Sequence, residues 1–148
     1  MSLEQAVFAA IHTSLTADAT LTAAGILAQS VHRGSAGREA RVLPWIEVDI
    51  NDDSMDAVVS GSAAEISEVS IRVRIVADAQ DGIGSGDTPE GAAPIDTIID
   101  RVDALLQGFS STITGFAYTT ISRIRRYPAS AGEAQISRVL DYHAVLGA

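Results

Sequence analysis

A glycine-rich stretch is the part of the sequence that comes nearest to a catalytic motif. Residues 82–86, GIGSG, lie between a predicted strand and a predicted helix, as a phosphate-binding loop does. In a dinucleotide site the loop runs straight into the helix, whose N–H groups and dipole face the pyrophosphate, but here about seven residues including Pro89 intervene. A Walker A loop needs lysine, and the chain has none. We therefore expect a solvated loop here and no bound nucleotide.

Carboxylates crowd two segments, residues 49–53 (DINDD) and residues 78–82 (DAQDG). Oxygen donors of this kind bind hard cations such as Ca²⁺. However, neither segment has the spacing D-x-[DN]-x-[DN]-G-x₅-E of a calcium loop, and no two histidines stand four residues apart. We expect acidic surface loops, with no metal ion and no other cofactor.

The histidines and cysteines give no indication of a catalytic centre. His12, His32 and His143 lie far apart on different predicted elements, and the local sequence groups no serine, histidine and aspartate together. The absence of cysteine excludes disulfides, thiol nucleophiles and cysteine-ligated metals. The sequence therefore predicts a protein that is not an enzyme.

One basic cluster stands out in an acidic chain. Residues 123–127 read RIRRY, but the formal net charge of −9 argues against a protein that grips DNA, because neutralising phosphates requires a clustered cationic surface. Strand alternation places Arg72 and Arg74 on one face of their strand, and Arg123 and Arg125 on one face of theirs. We expect these four arginines to lie on a mixed-charge outer sheet face that is either solvated or bound to an acidic surface of a second copy. They are the candidate subunit interface.

A second candidate site is an acidic loop. Residues 51–62 have no periodicity, contain Asp52, Asp53 and Asp56, and carry no basic residue. Such a segment is typical of a projecting surface loop.

Hydrophobic periodicity predicts two long helices. Ser2 and Gln5 have the spacing of a capping box, and an apolar stripe follows from Leu3 to Leu15. Pro94 opens a second stripe, with Asp96, Asp100 and Asp103 on its wet face and Gly108 as its end. A short helix over residues 18–24 is predicted to end at Gly25.

Five extended runs complete the prediction, over residues 26–32, 45–50, 68–77, 115–127 and 134–145. In the second run Glu47 and Asp49 alternate with apolar residues, which indicates a half-buried strand. The order of elements predicts an α+β fold, with a single antiparallel sheet of about five strands and two main amphipathic helices packed on one face. The opposite face is predicted to have no covering layer. We expect residues 1–148 to form a single domain.

The apolar runs are far shorter than the ~20 residues that span a bilayer, and the N-terminus has no basic region ahead of an apolar run. We therefore expect no membrane partner and a protein made and kept in the cytoplasm.

Short segments along nearly the whole chain resemble one protein family. The segments are residues 2–11 (SLEQAVFAAI), 15–23 (LTADATLTA), 43–48 (LPWIEV), 69–77 (VSIRVRIVA) and 138–146 (RVLDYHAVL). They resemble segments of the tail-terminator, or tail-completion, proteins of long-tailed bacteriophages, which share a helix that runs into a D-x-x-L turn, an L-P strand and a closing strand with a basic residue before D-(Y/F).

This resemblance implies a virion protein that is assembled in the host cytoplasm and located where the tail joins the head. Such proteins form a homo-oligomeric ring, usually a hexamer, that caps the tail tube, stops its polymerisation and docks the head connector or neck protein. Genomic DNA passes through the ring without specific binding, and an acidic lumen would suit that passage by repelling phosphates. A projecting loop of such a ring can line the lumen or reach axially onto the tail tube, and the negative charge of Asp52, Asp53 and Asp56 favours the lumen. The sequence leaves open another head–tail connector or neck protein and a non-viral oligomeric adaptor domain.

Overall fold

The computed structural model describes residues 2–52, 66–78, 94–110, 112–129 and 135–147. Within these ranges the chain forms three α-helices and five β-strands. The helices are α1 (Leu3–Thr16), α2 (Ala19–Ala23) and α3 (Pro94–Gln107), and the strands are β1 (Val31–Arg33), β2 (Trp45–Asp52), β3 (Ile66–Asp78), β4 (Tyr118–Ala129) and β5 (Gln135–Gly147).

The predicted capping box begins α1. The Gln5 N–H donates to the Ser2 hydroxyl at 3.2 Å, and the Ser2 N–H donates to the Gln5 side chain at 2.9 Å. These two bonds satisfy N–H groups that have no partner inside the helix. The predicted apolar stripe is the buried face of α1, which includes Val7, Ile11 and Leu15.

The other two helices also follow the predictions. Asp18 caps α2 by accepting a hydrogen bond from the Leu21 N–H at 3.0 Å, and Gly25 adopts a positive φ of 96° just after the helix. Asp18 also accepts from Arg101 of α3 at 2.6 Å, which ties the two helices together. Helix α3 ends at Gln107, directly before Gly108.

The sheet order is β1-β2-β3-β5-β4, so β1 and β4 are the edges. Strand β3 is central and pairs along its whole length with β5, from Ile66↔Gly147 to Asp78↔Gln135. The connection from β3 to β4 contains α3 and skips one strand position in the sheet. Strand β5 follows β4 in the chain and occupies that position, between β3 and β4. The α+β class and the five-stranded sheet are therefore confirmed.

The first strand differs from its prediction in extent and direction. Only Val31–Arg33 is strand, because residues Ala28–Ser30 form a 3₁₀ turn in which the Ser30 hydroxyl accepts from the Leu27 N–H at 3.0 Å. Side-chain bonds of this kind compete with strand pairing. Strand β1 then pairs parallel to β2, with Val31 opposite Ile46, so the sheet is mixed rather than fully antiparallel. The connection 34–44 supplies the crossover that a parallel pair needs.

The main core lies between one face of the sheet and the helices α1 and α3. Its fully buried members include Val7, Ile11, Ile46, Val73, Ile98, Val102, Leu140 and Tyr142. None of the helices in the described ranges combines the length and the apolar composition that a membrane-spanning segment requires.

The outer face of the sheet is partly covered, which the sequence analysis did not predict. Trp45, Val76 and Val139 are buried there, outside the main core cluster. The guanidinium of Arg41 lies 4.6 Å from the centre of the Trp45 ring, so the segment 34–44 folds over this end of the face. The prediction of an uncovered outer face is wrong at this end because arginines of the connection hold it onto the sheet.

Candidate functional site

Two of the four predicted interface arginines meet at one carboxylate on the outer face. Arg72 of β3 donates to both oxygens of Asp141 on β5, from Nε to Oδ1 at 2.9 Å and from Nη2 to Oδ2 at 3.2 Å. Arg125 of β4 donates from Nε to Oδ2 at 2.6 Å. We call these three residues the Asp141 cluster. Its bonds join three neighbouring strands, and the side chain of Arg125 remains 60% exposed.

A β-bulge separates Arg123 from Arg125. Arg123 lies opposite Tyr142 and Arg125 opposite Asp141, so Ile124 is the extra residue of β4. The prediction that Arg123 and Arg125 share one face is therefore wrong, because the inserted residue shifts the alternation. Arg123 instead lies on the helix side and donates to Asp103 of α3 at 2.7 Å.

Asp103 also differs from its predicted place on the wet face of α3. Its side chain is only 15% exposed, and its Oδ1 accepts from the buried Tyr142 hydroxyl at 2.8 Å. Burial, followed by this hydrogen bond, raises the pKa of Tyr142 above its ordinary value. The Tyr142–Asp103–Arg123 chain of contacts fastens α3 to β4 and β5.

The fourth predicted arginine belongs to a cluster that the sequence analysis missed. Glu47 is 3% exposed and binds Arg38 at 2.8 Å (Nε to Oε1) and Arg41 at 3.0 Å (Nη1 to Oε1), while Arg74 Nε lies 4.0 Å from its Oε2. We call these four residues the Glu47 cluster. Arg41 also donates to the carbonyl oxygens of Gly34 and Ala36, which fixes the shape of the connection 34–44.

A sequence signal for the Glu47 cluster did exist. Trp45 and Glu47 have the same parity on β2, and a tryptophan on a solvated face is unusual, so its presence indicated a cover over both side chains. Arg38 and Arg41 stand three residues apart around a 3₁₀ turn, a spacing that brings them to one side of the chain.

The carboxylates of both clusters are held in the charged form. Burial alone would raise the pKa of Glu47, but the hydrogen bonds from Arg38 and Arg41 outweigh it and lower that pKa below its ordinary value. Burial likewise opposes the hydrogen bonds from Arg72 and Arg125 on Asp141, and the net effect lowers the pKa of Asp141. The hydrogen bond from Arg101 is the main cause that lowers the pKa of Asp18.

These lowered pKa values predict acid sensitivity. A carboxylate whose pKa is lower in the folded state than in the unfolded chain stabilises the fold above its unfolded pKa, and that contribution is lost as the pH falls. We expect the urea midpoint of unfolding to be nearly constant down to about pH 5 and to fall steeply below about pH 4, where carboxylates of ordinary pKa protonate. Urea titrations monitored by far-ultraviolet circular dichroism will test this. A midpoint that rises below pH 4 would contradict it.

The predicted acidic loop is described only at its start. Asp52 ends β2, is exposed, and its N–H lies 3.4 Å from Glu4 of α1. Asp53 and Asp56 lie outside the described residues, as does the glycine-rich stretch 82–86. The structure thus places one member of this candidate site at the β2 end of the sheet.

The histidines and carboxylates of the described residues are the side chains that could take part in catalysis or metal binding. The three histidines stay on separate elements: His12 Nε2 lies 3.0 Å from the Ala28 carbonyl oxygen, His32 stacks edge-on against Trp45, and His143 lies on β5. In the described ranges, no group of three or more histidine, aspartate or glutamate side chains could hold a metal ion. The chemistry available on the outer face is salt-bridge and hydrogen-bond recognition by exposed guanidinium groups.

The comparison with known proteins identifies a shared fold but no protein family. No protein-family model matches the chain, and no curated protein matches it in sequence. Among solved structures, the chain is similar to one chain of the virion of a native gene transfer agent particle, with a TM-score of 0.70 at 16% identity over 99% of this chain and 98% of that one. A second solved chain, which has no descriptive name, gives a TM-score of 0.57 at 15% identity over 99% and 96% of the two chains. At such identities the shared property is the fold.

Proposed function

We propose that this protein is a structural component of a virion, and that it forms a ring, with six subunits as the expected number, at the head-proximal end of a long tail tube. The observation that carries this proposal is the fold shared with a virion chain over nearly the full length of both molecules. The resemblance of five sequence segments to tail-terminator proteins supports the more specific role. In that role the ring stops tube polymerisation and joins the tail to the head.

The charge distribution of the chain is suited to a ring through which DNA travels. A formal net charge of −9 repels phosphates, so DNA would slide past without strong electrostatic adhesion. The partners in this proposal are the tail tube protein on one side and the head connector or neck protein on the other. Recognition between packed surfaces, rather than catalysis, is the proposed activity.

A second candidate is another head–tail connector or neck protein. The similarity to a virion chain favours it as well, because that similarity does not specify a place along the particle. The two candidates differ in one partner: a tail terminator binds the end of the tail tube, so binding to that end discriminates between them.

Native mass spectrometry of the purified protein tests the ring. We expect a closed oligomer, with six as the predicted number of subunits. Monomer alone at tens of micromolar, with no ring after addition of tail tube, would rule the proposal out.

We further propose that Arg72, Arg74, Arg123 and Arg125 contribute to the contact between subunits. Arg125 is the most exposed of the four and Arg74 the least, with 60% and 24% of their side chains exposed, so Arg125 should have the largest effect. Its guanidinium also lies 5.1 Å from the centre of the Tyr127 ring, which limits its movement.

Arg125→Glu is therefore expected to lower the apparent affinity between subunits at least about tenfold, as loss of one charged interface contact does. The average oligomer mass should fall as a result. The matched control is Arg101→Glu, which has the same change of charge and also loses an aspartate partner, Asp18, on another part of the surface. Circular dichroism should show both variants folded. Equal assembly of the two variants would remove Arg125 from the interface.

A further inference from the structure

The exposed large apolar side chains of the described residues are few and unevenly placed. They are Leu27, Val42, Ile66 and Ile124. Leu27 and Val42 line the same concave region of about 560 Å³ beside β1, whose wall also includes His32, Leu43 and Pro44. We call this region the β1-edge hollow. Val42 is 82% exposed and Leu27 is 44% exposed, so both apolar side chains contact water in the isolated subunit.

The opposite edge of the sheet also carries an exposed apolar side chain, beside Arg72, Arg125 and Asp141 of the outer face. Ile124 is the extra residue of the β-bulge in edge strand β4 and is 63% exposed. A bulge disrupts regular pairing along an edge, so β4 is poorly suited to adding a further strand and better suited to contact through side chains. This edge presents Ile124 together with Arg125, whereas Arg123 is bound to Asp103 on the helix side.

The two edges also differ in charge. Residues 2–52, which form the β1 side of the molecule, contain six carboxylates and three arginines. The described residues of β4 and β5 contain four arginines and one carboxylate, Asp141. Asp100 and Asp103 of α3 pair with Arg126 and Arg123, and Asp141 pairs with Arg125, so these residues together carry a net charge of +1, from Arg138. The net charges of the two edges are therefore opposite in sign. Arg41, which lines the hollow, is bound to Glu47, and Glu39 is exposed next to Ala40 of the hollow's wall.

Ile124 cannot fill the hollow of its own chain. The two edge strands of this five-stranded sheet lie about 19 Å apart, since neighbouring strands lie about 4.8 Å apart. A contact between the edges must therefore join two copies, and a contact between two different surfaces of identical subunits closes into a ring when the rotation allows.

We propose that Ile124 of one copy inserts into the β1-edge hollow of the next copy, between Leu27 and Val42, with Arg125 directed to the acidic side of that neighbour. This inference rests on the proposed ring and names its repeating contact. Because the contact is head-to-tail, residue 124 of each copy meets residue 42 of another and never its own counterpart.

The natural absence of cysteine makes this contact testable by cross-linking. We expect the double variant Val42→Cys/Ile124→Cys, treated with a short bifunctional maleimide, to give a ladder of covalent multimers on a denaturing gel. An equimolar mixture of the two single variants should give cross-linked dimers, whereas each single variant alone should give monomer. The pair Val42→Cys/Ile66→Cys, which uses the remaining exposed apolar residue, is the control and should give no ladder.

The outcomes separate this inference from the proposed function. A ring in native mass spectra without a 42–124 cross-link would overturn the contact and leave the ring, and self-cross-linking of Ile124→Cys would overturn it in favour of a two-fold contact. Absence of any oligomer would overturn both.

The substitution Ile124→Asp provides a second measurement. It should weaken assembly at least tenfold and leave the circular dichroism spectrum that of a folded protein, whereas Ile66→Asp, the control, should assemble normally. Normal assembly of Ile124→Asp would also overturn the contact.

Discussion

Replacement of Glu47 by glutamine is expected to lower the free energy of unfolding by about 3 kcal/mol, the low end of the cost of breaking a buried ion pair. The buried carboxylate balances Arg38, Arg41 and Arg74. Arg41 has only 3% of its side chain exposed, so it cannot recover its hydration when the charge of Glu47 is removed. Glutamine keeps the shape of the side chain, which isolates the loss of charge from a loss of packing.

Asp49→Asn is the matched control, because Asp49 lies two residues further along the same strand and is exposed. We expect this variant to change stability by less than about 1 kcal/mol, as for a surface charge. Urea titrations at one protein concentration will compare the two, since oligomerisation adds to apparent stability. Equal midpoints for the two variants would show that the Glu47 cluster contributes little to stability.

The single tryptophan gives a second measure of the same change. Trp45 is buried beneath Arg41, so release of the connection 34–44 should expose its ring. We expect the fluorescence emission of Glu47→Gln to shift to longer wavelength under native conditions, and that of Asp49→Asn to remain as in the natural protein.

The triple change Asp52→Arg, Asp53→Arg and Asp56→Arg is expected to have the largest effect on function. We propose that this acidic segment faces the lumen of the ring, where its charge keeps DNA from adhering. Reversing three charges in every subunit would create many phosphate contacts, each of which strengthens DNA binding. Particles carrying the change should assemble rings normally and lose infectivity by about 100-fold or more, because multiple phosphate contacts raise affinity by orders of magnitude.

The corresponding triple change to asparagine is the control for this experiment. It removes the negative charge without creating phosphate contacts, so its effect on infectivity should be much smaller. DNA release from purified particles, measured together with ring assembly, separates a block in passage from a failure to assemble. Normal infectivity of the arginine variant would exclude a lumen role for these residues.

Local patterns predicted the elements well. The capping box of Ser2 and Gln5, the stripe on α3 and the alternation of β3 depend on residues within a few positions of each other, and each was found where it was predicted. The helix ends next to Gly25 and Gly108 were also predicted correctly, because nearby residues determine the backbone conformation at a helix end.

Features that depend on distant residues were not predictable in this way. The parallel pairing of β1 requires the crossover 34–44, and the burial of Glu47 requires Arg38 and Arg41 to return over the sheet. The bulge at Ile124 changed which face of β4 carries Arg123, because one inserted residue reverses an alternation of period two. The sequence identified Arg72, Arg74, Arg123 and Arg125 as candidates for a subunit interface, but it did not predict their division between the Asp141 cluster, the Glu47 cluster and Asp103.

The central claim, a ring that terminates a tail tube, is tested most directly by polymerising the cognate tail tube protein with and without this protein and imaging the products by negative-stain electron microscopy. We predict a ring at one end of each tube and tubes that stop growing once the ring is bound. Tubes of unchanged length with bare ends, in the presence of excess folded protein, would contradict the proposal.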